Sequence, residues 1–136
     1  MRVFALVALA ACVDAMPTTE RMPIEYVGRG SLEKGGVAVD GFTCGETYSA
    51  AVTGVPEAER EIRACWQANV VYGAGILGSL ALVPVAITTA HEGGPRALVD
   101  VEVGAIATSF LIGYVAAWIA GNHLNNAIHV YNRAVR

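Results

Sequence analysis

Charge is scarce in this sequence. Acidic and basic side chains make up 15% of its 136 residues, against roughly 25% in a soluble domain. The basic ones are scattered, and the formal net charge is −3, so the chain lacks the basic stripe that a nucleic-acid partner requires. Phosphate-binding loops are missing too: GRG at 28–30 and EGG at 92–94 stand in neither a GxxxxGK[ST] nor a GxGxxG context. There is no CxxC pair and no Cys/His spacing of a zinc site. His123 and His129 are six residues apart, which puts them on different faces of a helix. Thr108 and Ser109 lie inside an apolar run, where such hydroxyls bond back to their own helix more often than they act as nucleophiles. No charged residue interrupts the middle of either long apolar run, and such a residue is the usual mark of an ion or proton path. These absences leave no catalytic constellation, so the expectation is a protein that is not an enzyme and holds no metal.

What is abundant is apolar surface, with 54% hydrophobic residues and a mean hydropathy of +0.48. Residues 70–90, VVYGAGILGSLALVPVAITTA, and 103–121, VGAIATSFLIGYVAAWIAG, are uncharged, and each has about the 20 residues needed to cross a bilayer. The connecting residues 91–102 are short and contain a Gly/Pro turn, which makes the two runs an antiparallel helical hairpin. Trp66, Tyr72 and Trp118 fall at one end of that hairpin as an aromatic belt. A buried soluble hairpin is disfavoured, because the rest of the chain is too short to cover so much apolar area. The expected fold is therefore an all-α membrane protein: a transmembrane helical hairpin with a small extracytoplasmic helical head and a flexible N-terminal tether. The lipid bilayer is its first partner.

Small residues recur at four-residue spacing in both spans: Ala74 with Gly78, Gly75 with Ser79, and Gly113, Ala117 and Gly121 in series. Lipid tails provide no hydrophobic drive for helix pairing, so close backbone approach through such residues supplies much of the contact. They read as the seam of the hairpin, with a homo-oligomer interface as the alternative. Pro84 is expected to kink the first span.

The amino terminus, MRVFALVALAAC, has a basic residue followed by an apolar run too short to span a membrane, the pattern of a secretory signal over residues 1–11. Leu9-Ala10-Ala11-Cys12 resembles the lipobox of bacterial lipoproteins. That resemblance implies cleavage before Cys12 and diacylglycerol on its thiol, with no other cofactor, and a place in the bacterial cell envelope with the N-terminus outside the cytoplasm. Two other readings stay open: an ordinary signal cut after Val13-Asp14-Ala15, and a start at Met16 that would reverse the topology.

Residues 12–42 are rich in Pro, Gly, Thr and charge and read as the lipid-anchored tether. Two β-like patches at 24–27 and 37–39 leave a small hairpin possible. Residues 43–69 form the helical head. Thr43 and Glu46 have capping-box spacing, which predicts a short helix over 44–52 that stops at Gly54. Pro56 suits the first turn of a second helix, with Glu57, Glu59 and Glu61 near its positive end. In an exported protein Cys44 and Cys65 read as one disulfide closing this helix-turn-helix. With a start at Met16 they would instead be buried thiols.

Residues 122–136 continue from the second span. Leu124, Ile128, Tyr131 and Val135 recur at steps of four, three and four and form one apolar stripe of an amphipathic helix. Its expected place is antiparallel to residues 57–69, with Arg133 and Arg136 meeting Glu57, Glu59 or Glu61; lying on the lipid surface is the alternative. The glycine-rich hairpin followed by Ala127-Ile128-His129-Val130-Tyr131-Asn132 loosely resembles small two-span bacterial envelope proteins, a likeness that implies no activity. The functional expectation is a tether or scaffold for an unidentified membrane or periplasmic protein. The alternative is a small oligomeric pore or transporter accessory subunit.

Overall fold

The computed structural model describes residues 21–27, 31–39 and 44–136. The expected signal segment, Cys12 and Thr43 lie outside the described residues. The order of elements is β1 (Ile24–Val27), β2 (Ser31–Lys34), β3 (Val37–Ala38), α1 (Glu46–Ala51), α2 (Pro56–His91) and α3 (Arg96–Val135).

The three strands form an antiparallel sheet in the order β1-β2-β3, with Ile24 opposite Lys34 and Lys34 opposite Val37. Between β2 and β3 the chain reverses over Gly35 and Gly36 alone, at φ +60° and +78°. A two-residue hairpin turn of this hand needs positive φ at both positions, which only glycine adopts freely. Ile24, Leu32, Lys34 and Val39 are buried on one face of the sheet. The reading of 12–42 as a flexible tether, and of the fold as all-α, is thus corrected over residues 24–27 and 31–38. Two of the strands coincide with the β-like patches; β2, with only one apolar residue in SLEK, had no such signal.

The short helix begins at Glu46, two residues later than expected, with Gly45 as an N-cap that makes no side-chain bond. It ends before Gly54, at φ +88°. Pro56 then opens α2, and the Glu59 carboxylate accepts from the Gly54 backbone N–H at 2.9 Å. From there α2 runs unbroken for 36 residues, through Pro84, to His91. α3 runs for 40 residues, so the amphipathic residues 122–135 continue the second apolar run as one helix. At 1.5 Å per residue the two are about 54 and 60 Å long.

The two long helices pack antiparallel along their length, and the main core sits at one end of the pair. There the buried face of the sheet meets Ala51 of α1 and its C-cap Val52, Ala58, Ile62 and Cys65 of α2, and Ala127, Ile128 and Tyr131 of α3. Both helices are long and apolar enough to cross a membrane, and only 6% and 17% of their most apolar stretches are buried within the chain.

Candidate functional site

The candidate site is the junction where the apolar stretches enter the head. α3 brings Tyr131, 1% exposed, into the centre of the head core. Ile128 is buried beside it, and Leu124 and Val135 pack half-buried against the same cluster. The tail stripe therefore faces the head.

Lys34 ties three elements together. Its ammonium donates to the Ala51 carbonyl at 2.6 Å and sits 4.7 Å from the centre of the Tyr131 ring. It satisfies an orphan carbonyl at the end of α1 while its charge faces an aromatic ring. Asn132 does similar work at the sheet edge: its amide accepts from the Ile24 N–H and donates to the Ile24 carbonyl, both at 2.7 Å. In effect the side chain stands where a fourth strand would, leaving Ile24 no open edge group. The Tyr26 hydroxyl donates to Asn125 Oδ1 at 2.7 Å, a second link between β1 and α3.

Cys44 and Cys65 are joined as a disulfide, both buried, with Cα atoms 5.8 Å apart. The Asn69 amide lies 3.6 and 3.8 Å from the two sulfurs. The bond fixes the start of α1 to α2 just above the apolar stretch.

Electrostatically the junction differs from expectation. Among the described residues the ion pair found is His123 Nδ1 with Glu61 Oε2, at 2.6 Å. Arg133 and Arg136 form none with Glu57, Glu59 or Glu61. They flank a cleft with Ile24, Tyr26 and His129, away from Glu61. His123 is closer along the chain to the apolar run, and the antiparallel register brings it, not the terminal arginines, level with Glu61.

Along the apolar stretches the contact seam is narrower than the small-residue pattern. A Cβ on Gly75 would fall 2.7 Å from the Ser109 carbonyl oxygen and 2.8 Å from the Gly113 nitrogen. Gly113 in turn lies against the Tyr72 carbonyl. The Ser79 hydroxyl reaches the Gly75 carbonyl at 2.8 Å and the Ile106 carbonyl at 3.3 Å. Gly78 borders the seam, its Cβ position 4.0 Å from Ser109 Oγ, and Ala117 is half-buried beside Asn69. Ala74 and Gly121 are exposed and lie off the seam, and a Cβ on Gly121 would meet nothing within 4 Å. Ala116 and Ala120, absent from the four-residue series, are buried in their place. Thr108 donates to the Gly104 carbonyl at 2.8 Å, within its own helix.

At the far end of the pair the Thr89 hydroxyl lies 3.0 Å from both the Val85 carbonyl and Glu102 Oε1. Glu102 Oε2 is buried without a partner among the described residues. No group of His, Cys, Asp and Glu among the described residues has the geometry to hold a metal ion. Sequence reasoning passed over Lys34, Asn132 and the Glu61–His123 pair, whose partners lie far away in the chain.

No protein-family model, curated protein or solved structure matches the chain.

Proposed function

We propose that this chain is a non-enzymatic, lipid-anchored protein of the bacterial cell envelope, whose membrane-spanning hairpin holds a small folded head for a partner protein. The observation that carries the proposal is continuity. α2 and α3 leave stretches whose apolar side chains are exposed, among them Leu77, Leu80, Leu111 and Ile112, and enter the head core without a linker. Lipid around those stretches removes their apolar area from water. The same two helices then fix the head's height and orientation at one membrane face, which suits a scaffold.

The export segment sets the orientation, with the head outside the cytoplasm and the loop around Gly93 inside. Arginine placement argues the other way, since Arg60, Arg63, Arg133 and Arg136 lie on the head side against Arg96 alone at the loop. The export segment takes precedence because the first targeting element usually dominates orientation and the arginine counts are small.

Chemical cross-linking in native membranes tests the reading. A monomer joined to a different protein supports the scaffold. A discrete homo-oligomer accompanied by ion leakage supports a small pore or transporter accessory subunit in its place. A monomer with free thiols and no partner contradicts both.

A further inference from the structure

The head has a cleft where it meets the apolar surface, and its lining pairs one cation with one anion. The Glu61–His123 contact and the approach of Gly113 to Tyr72 fix the antiparallel register of α2 and α3. On that register Trp66 and Trp118 stand at the same height, and both are exposed. Indole rings at a common level mark the boundary between headgroups and hydrocarbon. Immediately on the head side of Trp66, between α1 and α2, opens a cleft of about 310 Å³. Its floor includes Ile62, and its charged lining consists of Arg63 from α2 and Glu46 from α1. Neither forms an ion pair among the described residues.

Arg63, Trp66, Val70 and Leu77 are spaced three, four and seven residues apart, so they share one face of α2. Trp66, Val70 and Leu77 are all exposed. Read along the helix, that face presents a guanidinium, then an indole, then aliphatic carbons. A phospholipid presents a phosphate, then a glycerol ester region, then acyl chains. Arg63 can bond the phosphate through two parallel N–H donors, and Glu46 can accept from a cation beyond it.

We propose that this cleft is a headgroup site for a zwitterionic phospholipid bearing a primary ammonium. Arg63 holds the phosphate, the Glu46 carboxylate accepts from the ammonium, and an acyl chain lies along Trp66 and Val70. An anionic headgroup lacking the ammonium places a hydroxyl or a second negative charge against Glu46 and is held less well. A choline headgroup has no N–H to donate. The site rests on the membrane-spanning part of the proposed function and not on the lipid at Cys12.

The test uses the full chain reconstituted into vesicles of equal parts phosphatidylethanolamine, phosphatidylcholine and phosphatidylglycerol. The vesicles are floated and then extracted in mild detergent, and the phospholipid retained by the protein is weighed by mass spectrometry. The expected result is enrichment of phosphatidylethanolamine over the other two by roughly tenfold, the ratio one charge-assisted hydrogen bond supports. R63Q lowers retention of all three lipids. E46Q removes the preference and favours phosphatidylglycerol. Both positions are exposed, and an intact Cys44–Cys65 bond in each variant reports a folded head. Protein that floats with the vesicles yet retains the three lipids equally overturns the site alone. Protein that does not float overturns the membrane reading and the site together.

Discussion

His123 Nδ1 lies 2.6 Å from Glu61 Oε2, and the pair joins the two long helices where each leaves its apolar stretch. Their side chains are 34% and 26% exposed, so water screens the contact and its contribution is about 0–1 kcal/mol. A double-mutant cycle of E61Q and H123Q, followed by denaturant unfolding in detergent, should return a coupling within that range. A much larger coupling would mean that the pair, rather than apolar packing, holds the junction together.

The helix seam makes a sharper prediction, because closely similar glycines differ in what surrounds them. G75L forces a side chain against the backbone of Ser109 and Gly113 and should lower stability by about 1–3 kcal/mol, the ordinary cost of overpacking. G121L, where a Cβ meets open space, should leave stability unchanged, as should A74L on the exposed face. Thermal unfolding of the three variants in one detergent measures the difference. Equal losses at Gly75 and Gly121 would place the seam elsewhere.

The Cys44–Cys65 bond spans a sequence separation of 21. In the chain-entropy treatment a loop of this size contributes about 3 kcal/mol. The C44S/C65S variant should lose that amount in denaturant unfolding, and reductant should lower the native protein to the same level without affecting the variant.

Lys34 and Asn132 should matter as much as apolar core residues, although both are polar. K34M leaves the Ala51 carbonyl without its donor, and N132A leaves both backbone groups of Ile24 without partners. Each should lower stability by about 1–3 kcal/mol, the cost of an unsatisfied buried group. Hydrogen exchange should locate the N132A loss at β1 and the K34M loss at the end of α1.

The hairpin, the break at Gly54 before Pro56 and the Leu124–Ile128–Tyr131–Val135 stripe were legible because each is a local pattern: an apolar run, a helix stop and start, a periodicity. The sheet was only half legible. β2 is four residues long and buries Leu32 and Lys34, so the residue that alternates with its one apolar side chain is charged, and no apolar period exists to find. The bond between Asn132 and Ile24 crosses 108 positions, and no local rule pairs residues that far apart. Ala74 and Gly121 are exposed in the single chain for a different reason: small residues occur on several faces of both spans, and only three-dimensional packing decides which face turns inward.

The proposed function requires that this head be anchored in a membrane on the exported side. Its most direct test is the intact mass of the protein recovered from carbonate-washed membranes of a bacterium that processes lipoproteins. The predicted result is a chain in the membrane pellet that begins at Cys12, carries acyl groups, and is two hydrogens lighter than its reduced form. An unmodified chain beginning at Met16 with free thiols, or protein released into the carbonate wash, would contradict it.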